Sequence, residues 1–179
     1  MNSTEPTNQH TARLSQQEKR RLAELKKNII YSAAFLTPES AALLRQCFSP
    51  KFPKHFYHHA TIDFRPHDIP FFVGTQYDLV VIGYVEDDRA QAVLVSNKFS
   101  KNRVPHITLS TREDTEPFYA AAMISRAIEK RTIVSSINPL TLKSVLGYFE
   151  KNGSAGGREI LDPNCEFNQL QKRLKKGGG

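Results

Sequence analysis

Two short stretches of the chain pair a proton-transfer group with a group that can hold an anion. They are His59-Ala60-Thr61 within "HHATIDF" and His106-Ile107-Thr108 within "HITLS". Each lies in an apolar run that reads as a β-strand, where residues i and i+2 share a face. His59 and Thr61 then project together, with Ala60 and Ile62 opposite. His106 and Thr108 project together, with Ile107 and Leu109 opposite. Two such strands, side by side or across a groove, gather two imidazoles and two hydroxyls around one point. That set suits phosphodiester cleavage. A neutral imidazole takes a proton from the attacking hydroxyl or water, and a protonated one supplies the leaving oxygen. The threonine hydroxyls donate to the non-bridging oxygens as charge builds. The chemistry requires no metal, and no third His or carboxylate stands at a metal-ligand spacing.

One His-x-Thr match is uninformative: six His and eleven Thr in 179 residues produce about 0.4 by chance. The second match, again inside an apolar strand, is the informative one. By strand alternation Tyr57 and Asp63 share the His59 face, and Ser110 shares the His106 face. Tyr57 and Ser110 therefore join Thr61 and Thr108 as candidate substrate contacts, Tyr57 by stacking on a base. His58 is expected to point away from Thr61. His10, His55 and His67 fall in tail or loop contexts and read as surface residues. Lys98, Lys101 and Arg103 in "KFSKNR", Arg65, and the "QKRLKK" run can meet phosphates, although a solvated loop or tail is the simpler reading of each. The apolar helical spacing from Phe118 to Ile128 reads as core. P-loop, dinucleotide-binding and nucleophile-elbow patterns are absent, so kinase, dinucleotide-enzyme and serine-hydrolase readings have no support.

The elements that must position these residues follow from local signals. Residues 1–13 are polar and aperiodic, which predicts disorder. Ser15 and Glu18 have capping-box spacing, and Leu22, Leu25 and Ile29 form the apolar stripe of the helix that follows. "NIIYSAAFL" reads as a strand. Thr37-Pro38 starts a helix that "FSPKFPK" stops. "DLVVIGYVEDD" and "RAQAVLVSN" read as a hairpin. Thr115-Glu116-Pro117 opens another helix, and "PLTLKSVLGYFE" closes the core as a strand. The division is then a polar extension with a charged helix over 1–27, a mixed strand-and-helix domain over 28–150, and a Gly-rich linker with a basic, weakly helical tail over 151–179.

The bulk numbers fit this picture. A length of 179 residues suits one domain, and the net charge of +7 favours an anionic partner such as a nucleic acid or nucleotide. Cys47 and Cys165 are too few and too far apart for a disulfide framework or a cysteine zinc site. There is no secretory h-region and no apolar run of membrane-span length. The default compartment is therefore the cytoplasm, or the nucleus if "EKRRLAELKKNII" acts as a signal rather than as a solvated basic helix.

The two motifs resemble those of the two-histidine (2H) phosphoesterase superfamily, which includes cyclic nucleotide phosphodiesterases and 2′-5′ RNA ligase-like proteins. "YSAAFLTPESAALLRQCFSPKFPKHFYHHATIDF" is similar to the entry segment of a compact branch. "VPHITLSTREDTEPFYAAAMI" and "PLTLKSVLGYFE" resemble its second motif and closing strand, so the likeness covers about residues 28–150. It implies an α+β fold with two pseudo-symmetric lobes whose antiparallel sheets flank a central groove. It also implies hydrolysis of 2′,3′-cyclic phosphate or 2′-5′ linkages in RNA or oligonucleotides, with no cofactor. His59 and His106 would be the acid/base pair, with Thr61 and Thr108 holding the phosphate; acid and base are not assigned. Only 46 residues lie between the two histidines, fewer than in many longer members, which leaves the substrate open. The alternatives are a phosphodiesterase for a signalling nucleotide, either 2′-5′ oligoadenylate or a cyclic dinucleotide, and a non-catalytic RNA-binding module on the same fold. The oligomeric state is not specified.

Overall fold

A computed structural model describes residues 13–154 and 156–176. The expectation of disorder over residues 1–13 falls, apart from Arg13, outside the described residues, as does His10. Helix α1 (Gln16–Asn28) begins with the anticipated capping box: Ser15 accepts from the Glu18 amide, and the Glu18 carboxylate accepts from the Ser15 amide. Leu22 and Leu25 are its buried face. Strand β1 (Ile29–Leu36) leads to α2 (Pro38–Cys47), which Thr37 caps through the Ser40 amide. The chain continues through β2 (Lys54–His55), β3 (His59–Phe64), the hairpin of β4 (Gln76–Glu86) and β5 (Ala90–Ser96), and β6 (His106–Thr111). It ends with α3 (Tyr119–Lys130), β7 (Val134–Lys151), β8 (Gly157–Ile160) and α4 (Glu166–Lys176).

Among the described residues the fold is α+β: one large antiparallel sheet with four helices. Its strand order is β2-β6-β5-β4-β7-β1-β3, and β8 pairs with the end of β7. The sheet is continuous because β7 is long enough to carry β4 on one edge and β1 on the other. The motif strands β3 and β6 lie near opposite ends of this order, yet they approach each other in space. A twisted sheet of this size curls, and offsets in β1, β4 and β5 add to the bend. Backbone bonds then close the seam. The Phe56 and Tyr57 amides donate to Leu109 and Thr108 (2.9 and 3.2 Å), and the Lys101 amide donates to Ile62 (2.8 Å). Ala60, Ile62, Ile107 and Leu109 are fully buried in the main core, so the opposite face of each motif strand is free to carry polar groups.

Three element predictions are corrected. Helix α3 starts at Tyr119, two residues beyond Pro117, because Thr115 does not cap it. The Thr115 hydroxyl accepts from Arg89 (3.3 Å) and donates to Asp114 (3.2 Å). Phe118 consequently stands before the helix and is 80% exposed rather than core. The stretch after residue 151 is not a linker: it turns back so that Gly157–Ile160 pairs with β7. The approach is so close that a Cβ on Gly147 would overlap the Ile160 carbonyl oxygen and the Leu161 side chain. Nor is the C-terminus a loose tail. Phe167 and Leu170 of α4 enter the core, and Asn168 is 1% exposed. Its side-chain amide donates to Val73 and Pro163 carbonyls (2.8 and 2.9 Å), and its oxygen accepts from the Val73 amide (3.0 Å). Alanine at Asn168 leaves these buried backbone groups unpaired. The expected cost is about 2–4 kcal/mol in urea unfolding; a loss below ~0.5 kcal/mol would mean that the apolar residues alone dock α4. Arg21 adds a bidentate pair with Glu166 (2.8 and 2.9 Å) between α1 and α4, which is exposed and contributes little.

Candidate active site

The curl of the sheet brings both motifs to one groove of about 640 Å³, which His59, Thr61, His106 and Thr108 line together. In the sheet His59 pairs with Phe35 and Thr61 with Ala33, while His106 pairs with Leu94 and Thr108 with Ala92. Alternation therefore works within β3 and β6.

His59 sits in an aromatic nest. Tyr31 stacks on its ring (centroids 5.0 Å apart, 17° between planes), and Phe35 lies tilted at 5.6 Å. This largely apolar setting disfavours the imidazolium. Burial, with smaller contributions from the charges of His58 and His106, lowers the His59 pKa to about 4. Burial lowers His106 as well, partly offset by its bond to the Val104 carbonyl. Nδ1 of His106 lies 2.9 Å from that carbonyl oxygen and must donate to it. This fixes the tautomer and leaves Nε2 as the nitrogen available to the groove. The Thr108 hydroxyl has only a long bond to the Pro117 carbonyl (3.4 Å), and the Thr61 hydroxyl is paired with no other described residue. Both can be redirected to a ligand at little cost.

Two candidate contacts are not in the groove. Tyr57 is 2% exposed: its hydroxyl donates to the Phe48 carbonyl (2.6 Å), and Arg45 covers its ring at 4.7 Å. Alternation fails there because Tyr57 has a left-handed backbone (φ 50°) and precedes the first paired residue of β3. Ser110 is fully buried. Its hydroxyl donates to Gln91 and accepts from the Phe52 amide (3.3 Å), in a network that also joins Gln91 to Tyr84 (2.9 Å). Edge strand β2 covers this end of β6, and local sequence carries no sign of that cover.

The same kink overturns the expectation for His58. Its ring meets that of His59 edge-on, with Nδ1 2.9 Å from Nδ1 of His59, and it too lines the groove. Its Nε2 lies 2.8 Å from Glu159 of β8. His55, expected at the surface, is exposed but also lines the groove, with Arg45 3.1 Å from its Nδ1. Of the basic loop, Lys101 pairs with Asp63 (2.7 Å) and Lys98 lies over Phe99 and Tyr77. Asn102, next to Lys101, reaches the groove and donates to the Thr61 carbonyl (3.1 Å). Phe64 and Phe118, 63% and 80% exposed, stand at the groove as well. Sequence reading missed Glu159 because it sits in a Gly-rich stretch. It missed Phe118 because helical periodicity continued through it.

Among the described residues, no group of three His, Cys, Asp or Glu is placed to hold a metal, and no helix is long and apolar enough to cross a membrane. No family model and no curated protein matches the chain.

Proposed function

We propose that the protein is a phosphodiesterase that hydrolyses 2′,3′-cyclic phosphate or 2′-5′ phosphodiester linkages in RNA or oligonucleotides, with His59 and His106 as its acid/base pair. The observation that carries this reading is the meeting of two His-x-Thr pairs, from strands far apart in the sheet order, in one groove. One imidazole removes the proton of the attacking water while the other protonates the leaving oxygen, so neither transfer calls for a metal. The two threonine hydroxyls, weakly engaged in the protein, donate to the phosphate oxygens. The phosphate's negative charge favours the imidazolium and offsets part of the burial effect on both histidines.

Two further features support the reading. The exposed rings of Phe64 and Phe118 at the groove suit stacking on unpaired bases, the usual way single-stranded RNA is gripped. In addition, the motifs come from opposite ends of the one continuous sheet, β3 beside β1 and β6 beside β5, which is what a two-lobed 2H reading requires.

The test is incubation, with chelator present, of the protein with a 2′,3′-cyclic phosphate-ended RNA and with a 2′-5′-linked oligonucleotide, products being resolved by chromatography. Cleavage of neither substrate would overturn the proposal. Thr61→Val and Thr108→Val keep shape and remove the hydroxyl. Each is expected to lower kcat by about 10²-fold, with unfolding midpoints close to wild type.

A further inference from the structure

We infer that Glu159 and His58 form a proton relay behind His59, which makes His59 the general base of the groove and leaves His106 as the acid. What the base acts on rests on the phosphodiesterase reading; the relay itself rests on geometry. A carboxylate only accepts, so the 2.8 Å contact places a proton on Nε2 of His58. Nδ1 of His58 and Nδ1 of His59, 2.9 Å apart, share one proton between them. In the neutral pair His59 donates through Nδ1–H, and its Nε2 is left with the free lone pair that a base requires.

The relay resolves a conflict in the site. A base must gain a proton, but the stack of Tyr31 and Phe35 around His59 disfavours a cation there. When Nε2 of His59 takes the proton of the attacking water, its Nδ1 proton passes to Nδ1 of His58. His59 is again neutral, now protonated at Nε2. The positive charge has moved to a half-exposed ring that donates to the Glu159 carboxylate. As His59 later releases its Nε2 proton to solvent, the Nδ1 proton returns from His58 and the pair resets. His106 has no such outlet, because its Nδ1–H faces a backbone carbonyl that cannot take the proton. The charge of His106 also works against protonation of His59, which suits a base that must stay neutral beside a protonated acid.

The groups around the relay leave it intact. Tyr31 of β1 has its pKa raised to about 12, by burial and then by Glu159, and stays a neutral phenol. Arg158, next to Glu159 in sequence, is taken by Glu150 (2.8 Å). His55 of β2 shares the groove, but its Nδ1 faces Arg45. Glu159 itself is held over the sheet by the pairing of β8 with β7, at Phe149.

His58 and Glu159 are positioning residues, and two measurements on the full-length chain test them. In ligand-free protein, the histidine ¹⁵N shifts at neutral pH should show His59 protonated at Nδ1 and bare at Nε2; His58→Phe should release it from that tautomer. In pH–rate profiles on the cyclic phosphate-ended RNA, Glu159→Gln should lower kcat about tenfold with KM within about twofold. A base works only when unprotonated, so its pKa sets the acidic limb. Without the carboxylate that stabilises the relayed charge, this pKa falls, and the limb should move to lower pH by about one unit. Glu159→Asp should restore part of the loss. If His59 is protonated at Nε2 in the wild type, or if Glu159→Gln leaves the acidic limb in place, the relay is wrong. Should the wild type cleave nothing, the phosphodiesterase reading fails and the tautomer measurement still decides the relay.

Discussion

Replacing His59 or His106 is expected to lower the cleavage rate of a cyclic phosphate-ended RNA by about a thousandfold each, with KM changed far less. Each histidine performs a proton transfer that water does poorly, and such transfers contribute about 10²–10⁴ in rate. His106 is the cleaner site: alanine there removes Nε2 from the groove together with the bond to Val104, without opening an aromatic stack. At His59 alanine also leaves a hole between Tyr31 and Phe35, so His59→Gln is the better-filled companion. The double variant should be little worse than either single one, because base and acid act on one transition state and their losses do not add. Single-turnover rates measured with excess enzyme would check this. If both variants keep wild-type turnover, the two motifs are structural and the groove does something else.

The second large effect is on stability in acid. The pKa of His59, about 4, lies below the ordinary 6.5 that the unfolded chain would restore. Between these values the unfolded state binds more protons than the folded one, so stability falls as pH is lowered through that window. The full stability is present above about pH 6.5, and the expected loss by pH 4 is about 3 kcal/mol. His59→Gln cannot titrate and should make this part of the curve shallower, even if it is less stable at neutral pH; His106, also lowered by burial, keeps the remaining slope. Burial pushes Glu86 and Asp87 up, but hydrogen bonds and nearby cations together outweigh it, and the Arg21 hydrogen bond lowers Glu166, so all three are held below their ordinary pKa values. Their contributions are lost only below about pH 4.5, which separates them from His59. Urea unfolding from pH 7 to pH 4 on wild type and His59→Gln would show the difference. Parallel curves would mean that His59 titrates normally in the fold.

Much of the scaffold is legible because it depends on neighbours in sequence. The capping box at Ser15, the Thr37-Pro38 helix start and the turn at Asp87 are local bonds made within a few residues. The alternation in β3 and β6 is legible for the same reason: a regular strand sends i and i+2 to one side whatever it packs against. Alternation misleads at Tyr57 and His58, where one left-handed residue before β3 resets the direction of the side chains. It is blind at Ser110, whose burial comes from β2 and Gln91 rather than from its own strand. The C-terminal segment misleads in another way. Gly-rich and basic composition predicts solvation, but a hairpin onto β7 and two apolar residues of α4 outweigh it.

The types and spacing of the residues alone determined the paired imidazoles and hydroxyls, the strands that carry them, and the apolar anchors behind them. Tertiary structure decided that the two pairs meet. That meeting depends on how a seven-strand path curls, on the bonds that close its seam, and on β7 being long enough to keep the sheet whole. It also decided which histidine has Glu159 behind it, because a carboxylate 101 positions away in the chain reaches His58 only through the pairing of β8 with β7. Contacts between residues close in sequence follow from backbone geometry. Contacts between residues far apart depend on the summed twist and register of every strand between them, and no short stretch of sequence carries that sum.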